Sequence, residues 1–399
     1  MRVKTADSCL TMIAAQPGER FQSTMSQVVV QPVETRRDRK DFLELPWRLH
    51  KNDPYWVPPL RREQAELVGF HHHAFYDSAE AQPFLARRNG QVVGRILAIV
   101  NHAYNEIYTE HRGFFGFFES IDDVDVAQEL FSAARTWLAE RNLTRMRGPV
   151  NPSMNYECGL LVDGFDSAPT FMMTYNPAYY PKLFEACGFT KAQDLLAYFG
   201  HIDQMPAIDG RLGQIAEQVR ERFDVKVRPL DRRNFRRDVE VFLKMYNGSM
   251  VLTWDYVPIS PSEIEYLSKS LRFLLIPELA MIADAEGQTA GVVLCLPDYN
   301  PRIKRIDGRL FPFGFVRLLR NKRAIKRVRV VAINVLPEFQ RLGLGLVLLR
   351  ALMPAALANG IREAEFSWVF ESNEMARMGL EKGGARVYKT YRIYDAPGS

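Results

Sequence analysis

Several common signposts are missing from this chain. Its 399 residues hold four cysteines, Cys9, Cys158, Cys187 and Cys295, and no two stand in a C-x-x-C spacing. That argues against a zinc ribbon and a disulfide framework and places the protein in a reducing compartment, taken here as the cytoplasm. No apolar run reaches the length of a membrane-crossing helix, and the first residues lack the apolar core of a secretory signal. Charge bias is small: 52 Lys and Arg against 47 Asp and Glu leave +5, so nothing in the overall balance calls for a nucleic acid. Neither of two common phosphate loops occurs, the G-x-x-x-x-G-K-[ST] type or a G-x-G-x-x-G with a ribose-binding acid at the right distance. His71-His72-His73 cannot all face one ion, and no carboxylate or cysteine lies nearby at ligand spacing, so no metal is expected.

What is present fits a globular protein too long for one ordinary core. Residues 1–26 are polar and irregular and are expected to be disordered, with Met25 a natural alternative start. Beyond them, Gln27–Val33 reads as a strand and Asp38–Leu49 as a helix. Pro83–Val100 reads as a hairpin turning at Asn89-Gly90, the type I′ signal. Gly113–Glu119 is a strand, Val124–Asn142 an amphipathic helix and Arg145–Asn151 a strand. After a helical linker over 204–221 the order repeats. Ser260-Pro261-Ser262-Glu263 opens a helix with a capping box and a proline at its first position. Strands follow at Leu279–Asp284 and Ala290–Leu296.

The most informative stretch is Val328–Gly360. A β-branched run, Val328–Val335, leads into Gln340-Arg341-Leu342-Gly343-Leu344-Gly345 and then into an apolar helix ended by Asn359-Gly360, with Pro354 expected to kink it. Strand, glycine-bearing turn and helix is a geometry that holds a pyrophosphate. Helix-start amides point at the anion, and the helix dipole favours its charge. Gly343 and Gly345 let the backbone approach without a Cβ in the way.

With Q-x-x-G-x-G after a strand ending V-x-P-E-F, this stretch resembles the acyl-CoA loop of the GNAT acyltransferase superfamily. The element order extends the resemblance to two tandem copies, 27–203 and 222–396. The expected fold class is therefore α/β (α+β), each copy a mixed, mostly antiparallel sheet flanked by helices. Only the second copy carries the loop. The first has Ile121-Asp122-Asp123-Val124-Asp125 there, whose carboxylates would repel a pyrophosphate.

The resemblance implies acyl-CoA or acetyl-CoA as acyl donor and an amine acceptor. It implies that Ile333 to Val335 pair with the pantetheine, that the Val335 amide polarises the thioester, and that Gln340, Arg341, Leu342, Gly343, Leu344 and Gly345 take the pyrophosphate. Asn373 matches the family's cofactor-side asparagine. The family's tyrosine slot is Leu380, so the proton donor moves elsewhere: Tyr388, Tyr391 and Tyr394 are alternatives, and Glu371 is a candidate base. In the first copy, Asn176-Pro177-Ala178-Tyr179-Tyr180 resembles the same helix start. Asn151, Asn155, Glu157, Tyr179 and Tyr180 form a polar set among apolar residues suited to an amphiphilic substrate.

Residues 297–327 form an insert. From 302 to 329 the chain carries eleven Lys and Arg and one acid, Asp307, interleaved with Phe311, Phe313 and Phe315. That pattern marks an anionic membrane surface or an acidic partner such as an acyl carrier protein. The two-copy layout, the Gly308-to-Gly314 run and the Asn176-to-Tyr180 block look most like bacterial ceramide-synthase-type N-acyltransferases. The reading is an N-acyltransferase for an amine acceptor such as a sphingoid base, peripheral at the cytoplasmic membrane. The alternatives are acetylation of a small polar amine or peptide and a non-catalytic acyl-CoA sensor.

Overall fold

In the computed structural model, residues 27–340 and 342–397 are described, with backbone alone for 204–212. The expected disorder of residues 1–26 and the expected role of Arg341 lie outside the described residues. Local signals set the first elements. Thr35 Oγ1 accepts from Asp38 N at 3.1 Å and Asp38 Oδ2 accepts from Thr35 N at 3.2 Å, closing a capping box at the start of helix Arg36–Leu49. Asn89 and Gly90 take φ of 50° and 75°, both left-handed as a type I′ turn needs. Ser260 and Glu263 make the expected reciprocal caps on helix Pro261–Leu274. Helix Leu344–Ala358 runs on through Pro354.

The strands are β1 (Val29–Pro32), β2 (Ala79–Arg88), β3 (Gln91–Asn101), β4 (Arg112–Ser120), β5 (Arg145–Gly148), β6 (Val150–Asn151), β7 (Glu157–Cys158), β8 (Leu160–Asp163), β9 (Thr190–His201), β10 (Lys226–Pro229), β11 (Ala280–Ala285), β12 (Gln288–Pro297), β13 (Arg327–Val335), β14 (Glu363–Phe370) and β15 (Arg386–Asp395). All but β6 and β7 join one sheet, ordered β1-β2-β3-β4-β5-β15-β9-β14-β13-β12-β11-β10, with β8 beside β15. Pairing is antiparallel except for β4–β5 and β13–β14.

The order reads the same from both ends. Strands β1–β5 mirror β10–β14, and the two central strands are exchanged. β9, which ends the first half of the chain, pairs with β14 of the second half, and β15, which ends the second half, pairs with β5 of the first. Tyr391, Ile393 and Tyr394 of β15 are at most 1% exposed, so the last strand of the chain is core to the first half. Helix Met205–Arg222 is more than a tether: Ala216 and Val219 are buried with Leu344 and Val347 of the helix that follows the glycine loop.

A buried charge cluster also locks the halves. Arg147 donates to Asp255 and to Asp395, each at 2.7 Å, and the Tyr104 hydroxyl donates to Asp255 at 2.7 Å. Arg147 lies over the Trp254 ring. The loop that carries Trp254 is thereby pinned beside Phe370 at the end of β14, with ring centroids 6.4 Å apart.

Candidate active site

β13 and β14 run in parallel register only from Arg327↔Glu363 to Val330↔Phe366. β13 continues to Val335 and β14 to Phe370 without pairing each other, so the strands part. The register of β13 against β12 shifts around Val331, a bulge that turns the strand as the gap opens. Amides along a strand alternate sides. Leu336 N donates to Ala290 O on the β12 side at 3.0 Å, so the amides of Val335 and Ile333 face the gap. These are the two positions expected to meet the pantetheine and thioester.

The glycine loop follows. Gly343 has φ of 86° and stands just before helix Leu344–Ala358. The leading amides of a helix have no acceptor within it, and here the residues on either side of Leu344, the first of the helix, are both glycines. Gln340 Nε2 donates to Val335 O at 3.1 Å, tying the turn to the end of β13. Asn373 caps helix Glu374–Lys382, its Oδ1 accepting from Ala376 N at 3.1 Å.

The corresponding gap in the first half is filled by the chain itself. Val150–Asn151 lies against β4: a Cβ on Gly116 would fall 1.6 Å from Val150 O. Asn151 Oδ1 accepts from Phe117 N at 2.7 Å. The Tyr180 hydroxyl accepts from Ser120 N at 3.0 Å, and the Tyr179 hydroxyl donates to Ser120 O at 2.7 Å. Asp123 Oδ1 caps Val126 N at 3.2 Å, closing the helix start that matches the glycine loop, and pairs with Arg88. Thus Asn151 and Tyr180 occupy amides whose counterparts in the second half face the gap, and Tyr179 holds the carbonyl that Gln340 holds in the second half.

Asn155 and Glu157 face the second half. Asn155 Nδ2 donates to Val257 O at 2.9 Å, and its Oδ1 lies 3.4 Å from the Tyr246 hydroxyl. The Glu157 carboxylate has no hydrogen bond among the described residues. Burial raises its pKa, and the charge of Arg329 on β13 opposes the rise. A second unpaired carboxylate, Glu63, stands in the first turn of helix Arg61–Leu67. Its side chain keeps contact with solvent; burial by neighbouring protein, then repulsion from Glu157 and Glu66, push its pKa up to about 7. Glu66 is itself held by the Tyr266 hydroxyl at 2.6 Å and Arg62 at 2.9 Å.

Beside Arg329 is a buried polar network. Glu365, fully buried on β14, accepts from Thr170 Oγ1 at 2.5 Å, from Ser367 Oγ at 2.6 Å and from the Tyr388 hydroxyl. Arg329 donates to Ser367 Oγ at 2.9 Å and Met172 O at 2.8 Å and lies over the Trp368 ring. Tyr388 is therefore committed to Glu365. Tyr391, also fully buried, has a hydroxyl without a partner, within the fields of Glu365, Tyr388, Arg329 and Glu157. Glu371 sits apart, salt-bridged to Lys191 at 2.6 Å and accepting from Asp194 N at 3.2 Å. Among the histidines, His73 is buried and caps Phe75 N through Nδ1 at 3.2 Å.

The sequence reading did not single out Glu63, Tyr246, Arg329, Glu365, Trp254 or Trp368. Glu63 lies in a polar heptamer that reads as a solvated helix, and Glu365 lies in Glu-Ala-Glu, which reads as the solvent face of a strand.

Comparison with known proteins bears on this site. The acetyltransferase (GNAT) family profile matches residues 252–380, which span the parted strands and the glycine loop. "Bacterial ceramide synthase" of Caulobacter vibrioides (strain NA1000 / CB15N) is 36% identical over 386 residues, covering 94% of this chain and 99% of that protein. "Protein YghO" of Escherichia coli (strain K12) is 31% identical over 375 residues, covering 92% and 95%. Among solved structures, a tandem GNAT protein from the clavulanic acid biosynthesis pathway shares the fold at TM-score 0.56 and 10% identity, over 94% of this chain and 99% of that one.

Proposed function

The chain belongs to the GNAT acyltransferase family, and from that premise we propose that it transfers a long acyl chain from a CoA thioester to the amino group of an amphiphilic amine of the sphingoid-base type. The observation that carries the reading is that two carboxylates without a hydrogen bond among the described residues, Glu63 and Glu157, lie within each other's field, and Glu157 within that of Arg329 on β13. An acceptor amine arrives largely as an ammonium. Two neighbouring carboxylates attract it, and one whose pKa lies near neutrality can take its proton.

The roles of the chain's residues follow. Gly343 to Gly345 and the helix start hold the pyrophosphate. The Ile333 amide pairs with the pantetheine. The Val335 amide faces the thioester carbonyl and stabilises the negative charge that develops on its oxygen. The amine nitrogen bonds to the carbonyl carbon, the carbon–sulfur bond breaks, and the proton lost by nitrogen passes to Glu157 or Glu63. Tyr391, whose partnerless hydroxyl lies within the fields of Glu365 and Glu157, is assigned as donor to the departing thiolate. Tyr388 and Glu365 hold the floor in place. No metal takes part in this scheme.

The insert supplies the approach to lipid. Phe311 and Phe313 are 73% and 69% exposed beside the run of Lys and Arg, a surface suited to the headgroup region of an anionic membrane. Among the described residues no helix is long and apolar enough to cross a membrane, so contact would be peripheral. An acyl carrier protein is the other acidic partner such a surface would fit.

Thiol release measured with acyl-CoAs of increasing length, with and without a long-chain amino alcohol, tests the reading. The expected result is release that needs the amine and favours long chains. Acetyl-CoA turnover with polar amines alone would favour the small-amine reading. Binding of acyl-CoA without release, whatever the amine, would make the protein a sensor.

A further inference from the structure

Helix Pro261–Leu274 ends in Arg272-Phe273-Leu274, and carbonyls at its end meet a lysine from the insert. Lys322 Nζ donates to Phe273 O and, at 3.3 Å, to Leu275 O, so a cation caps the helix C-terminus. Beside this contact lies a recess of about 720 Å³, lined by Arg232, Arg272, Lys322, Arg323 and Glu278 and floored by apolar groups such as Ile276. Four cations thus face one carboxylate, and that carboxylate is already paired with Arg232 at 2.9 Å. The guanidiniums of Arg272 and Arg323 have no hydrogen bond or ion pair among the described residues, and both side chains are exposed. Burial, then Arg232 and Arg302, lower the pKa of Lys322, as expected where positive charge is concentrated without a counter-ion.

The apolar surroundings decide what kind of anion belongs here. Phe273, at the lip, is 60% exposed. Phe315 and Val316 are exposed on helix Gly314–Leu319, which leads directly into Asn321, Lys322 and Arg323. Arg302 holds that stretch in place, donating to Leu318 O at 2.8 Å and to Asn321 O at 2.7 Å. A concentrated cationic recess beside exposed aromatic rings matches a ligand with a phosphate and an apolar body attached.

We infer that the recess between the end of helix Pro261–Leu274 and the insert is a binding site for the phosphate headgroup of an anionic membrane lipid. This rests on the membrane contact proposed above and adds to it a specific pocket, formed partly by Arg232 and Arg272 from outside the insert. The phosphate would sit among Arg272, Lys322 and Arg323, the glycerol side would face the lip, and Phe273 and Phe315 would enter the interfacial layer. The site shares no residue with the candidate active site, so its occupation fixes how the enzyme rests on the membrane and leaves the chemistry untouched.

Sedimentation of the full chain with vesicles tests this, using phosphatidylcholine alone and phosphatidylcholine mixed with phosphatidylglycerol. The expected result is binding that depends on phosphatidylglycerol and weakens with salt. Arg272→Gln with Arg323→Gln should weaken it by about 25-fold, from about fivefold per cation near an anionic surface. Both side chains are exposed and unpaired, so an unchanged melting temperature and unchanged turnover of detergent-dispersed substrate are expected. Phe311→Ser with Phe313→Ser should weaken binding to any vesicle. If the arginine variant sediments with phosphatidylglycerol vesicles like the wild type while the phenylalanine variant does not, the headgroup site is refuted and membrane contact stands. If the wild type ignores every vesicle but binds an acyl carrier protein, both are refuted and the surface belongs to the carrier.

Discussion

Replacing Gly343 and Gly345 by alanine, one at a time, separates the needs of the loop from the needs of its ligand. Gly343 has φ of 86°, and a Cβ there would meet only Val219 Cγ2 at an ordinary 3.5 Å. Space is available and the backbone is the obstacle: a left-handed alanine costs about 1–2 kcal/mol. Gly345 lies inside helix Leu344–Ala358, where a Cβ would touch Ile333 Cγ2 at 3.4 Å. Alanine fits there and is the better helix former by up to about 1 kcal/mol. Its methyl group, however, would stand where a pyrophosphate reaches the helix-start amides. Losing one charge-assisted hydrogen bond of about 1.5–3 kcal/mol would weaken CoA binding by roughly ten- to a hundredfold. Gly343→Ala should therefore lower both stability and CoA affinity. Gly345→Ala should leave stability equal or higher and still lose affinity. Denaturant unfolding and calorimetric titration with CoA read the two quantities separately. Wild-type CoA affinity in Gly345→Ala would refute the assignment of the pyrophosphate to this loop.

Other expectations concern separate parts of the structure. Glu63 rises from its ordinary 4.5 to about 7 in the fold, so the folded chain keeps a proton that the unfolded chain releases. Folding stability should fall as pH rises through that interval, and Glu63→Gln should abolish that fall, matching the wild type at the acid end and exceeding it above neutrality. Asn151→Ala leaves the Phe117 amide unpaired and should cost about 1–3 kcal/mol of stability, while CoA stoichiometry by calorimetry stays at one per chain. Tyr391→Phe should lower kcat and leave CoA affinity unchanged; an unchanged kcat would remove Tyr391 as the thiolate's proton donor. Truncation after Gly384 removes β15 from the centre of the sheet and should leave neither half folded, which circular dichroism would show as loss of the cooperative unfolding transition.

Local chemistry was readable in the sequence wherever neighbouring residues decide it. Ser260 and Glu263, Asn89 and Gly90, and the strand–glycine–helix run around Gly343 each carry their geometry within a few residues. The exchange of β9 and β15 was not readable. An alternating apolar pattern specifies a strand and its buried face but does not name the neighbour, and both strands have similar patterns. Glu365 escaped notice for a related reason: its partners Thr170 and Tyr388 come from distant points in the chain, and only the fold makes it a buried acceptor of three hydroxyls. Asn151, Tyr179 and Tyr180 read, with Asn155 and Glu157, as a polar set for an amphiphilic substrate. Only the structure shows that they fill the first half's own gap, whereas Asn155 and Glu157, a few residues from Asn151, face the opposite side.

Identifying the product tests the central claim most directly. The purified chain is incubated with palmitoyl-CoA, acetyl-CoA and a mixture of sphinganine and small polar amines, and the products are resolved by mass spectrometry. The expected result is N-palmitoyl-sphinganine formed in equal amount with free CoA, and loss of that product in the double variant Glu63→Gln with Glu157→Gln, CoA binding being retained. Acetylated polar amines without any long-chain amide, or an active double variant, would contradict it.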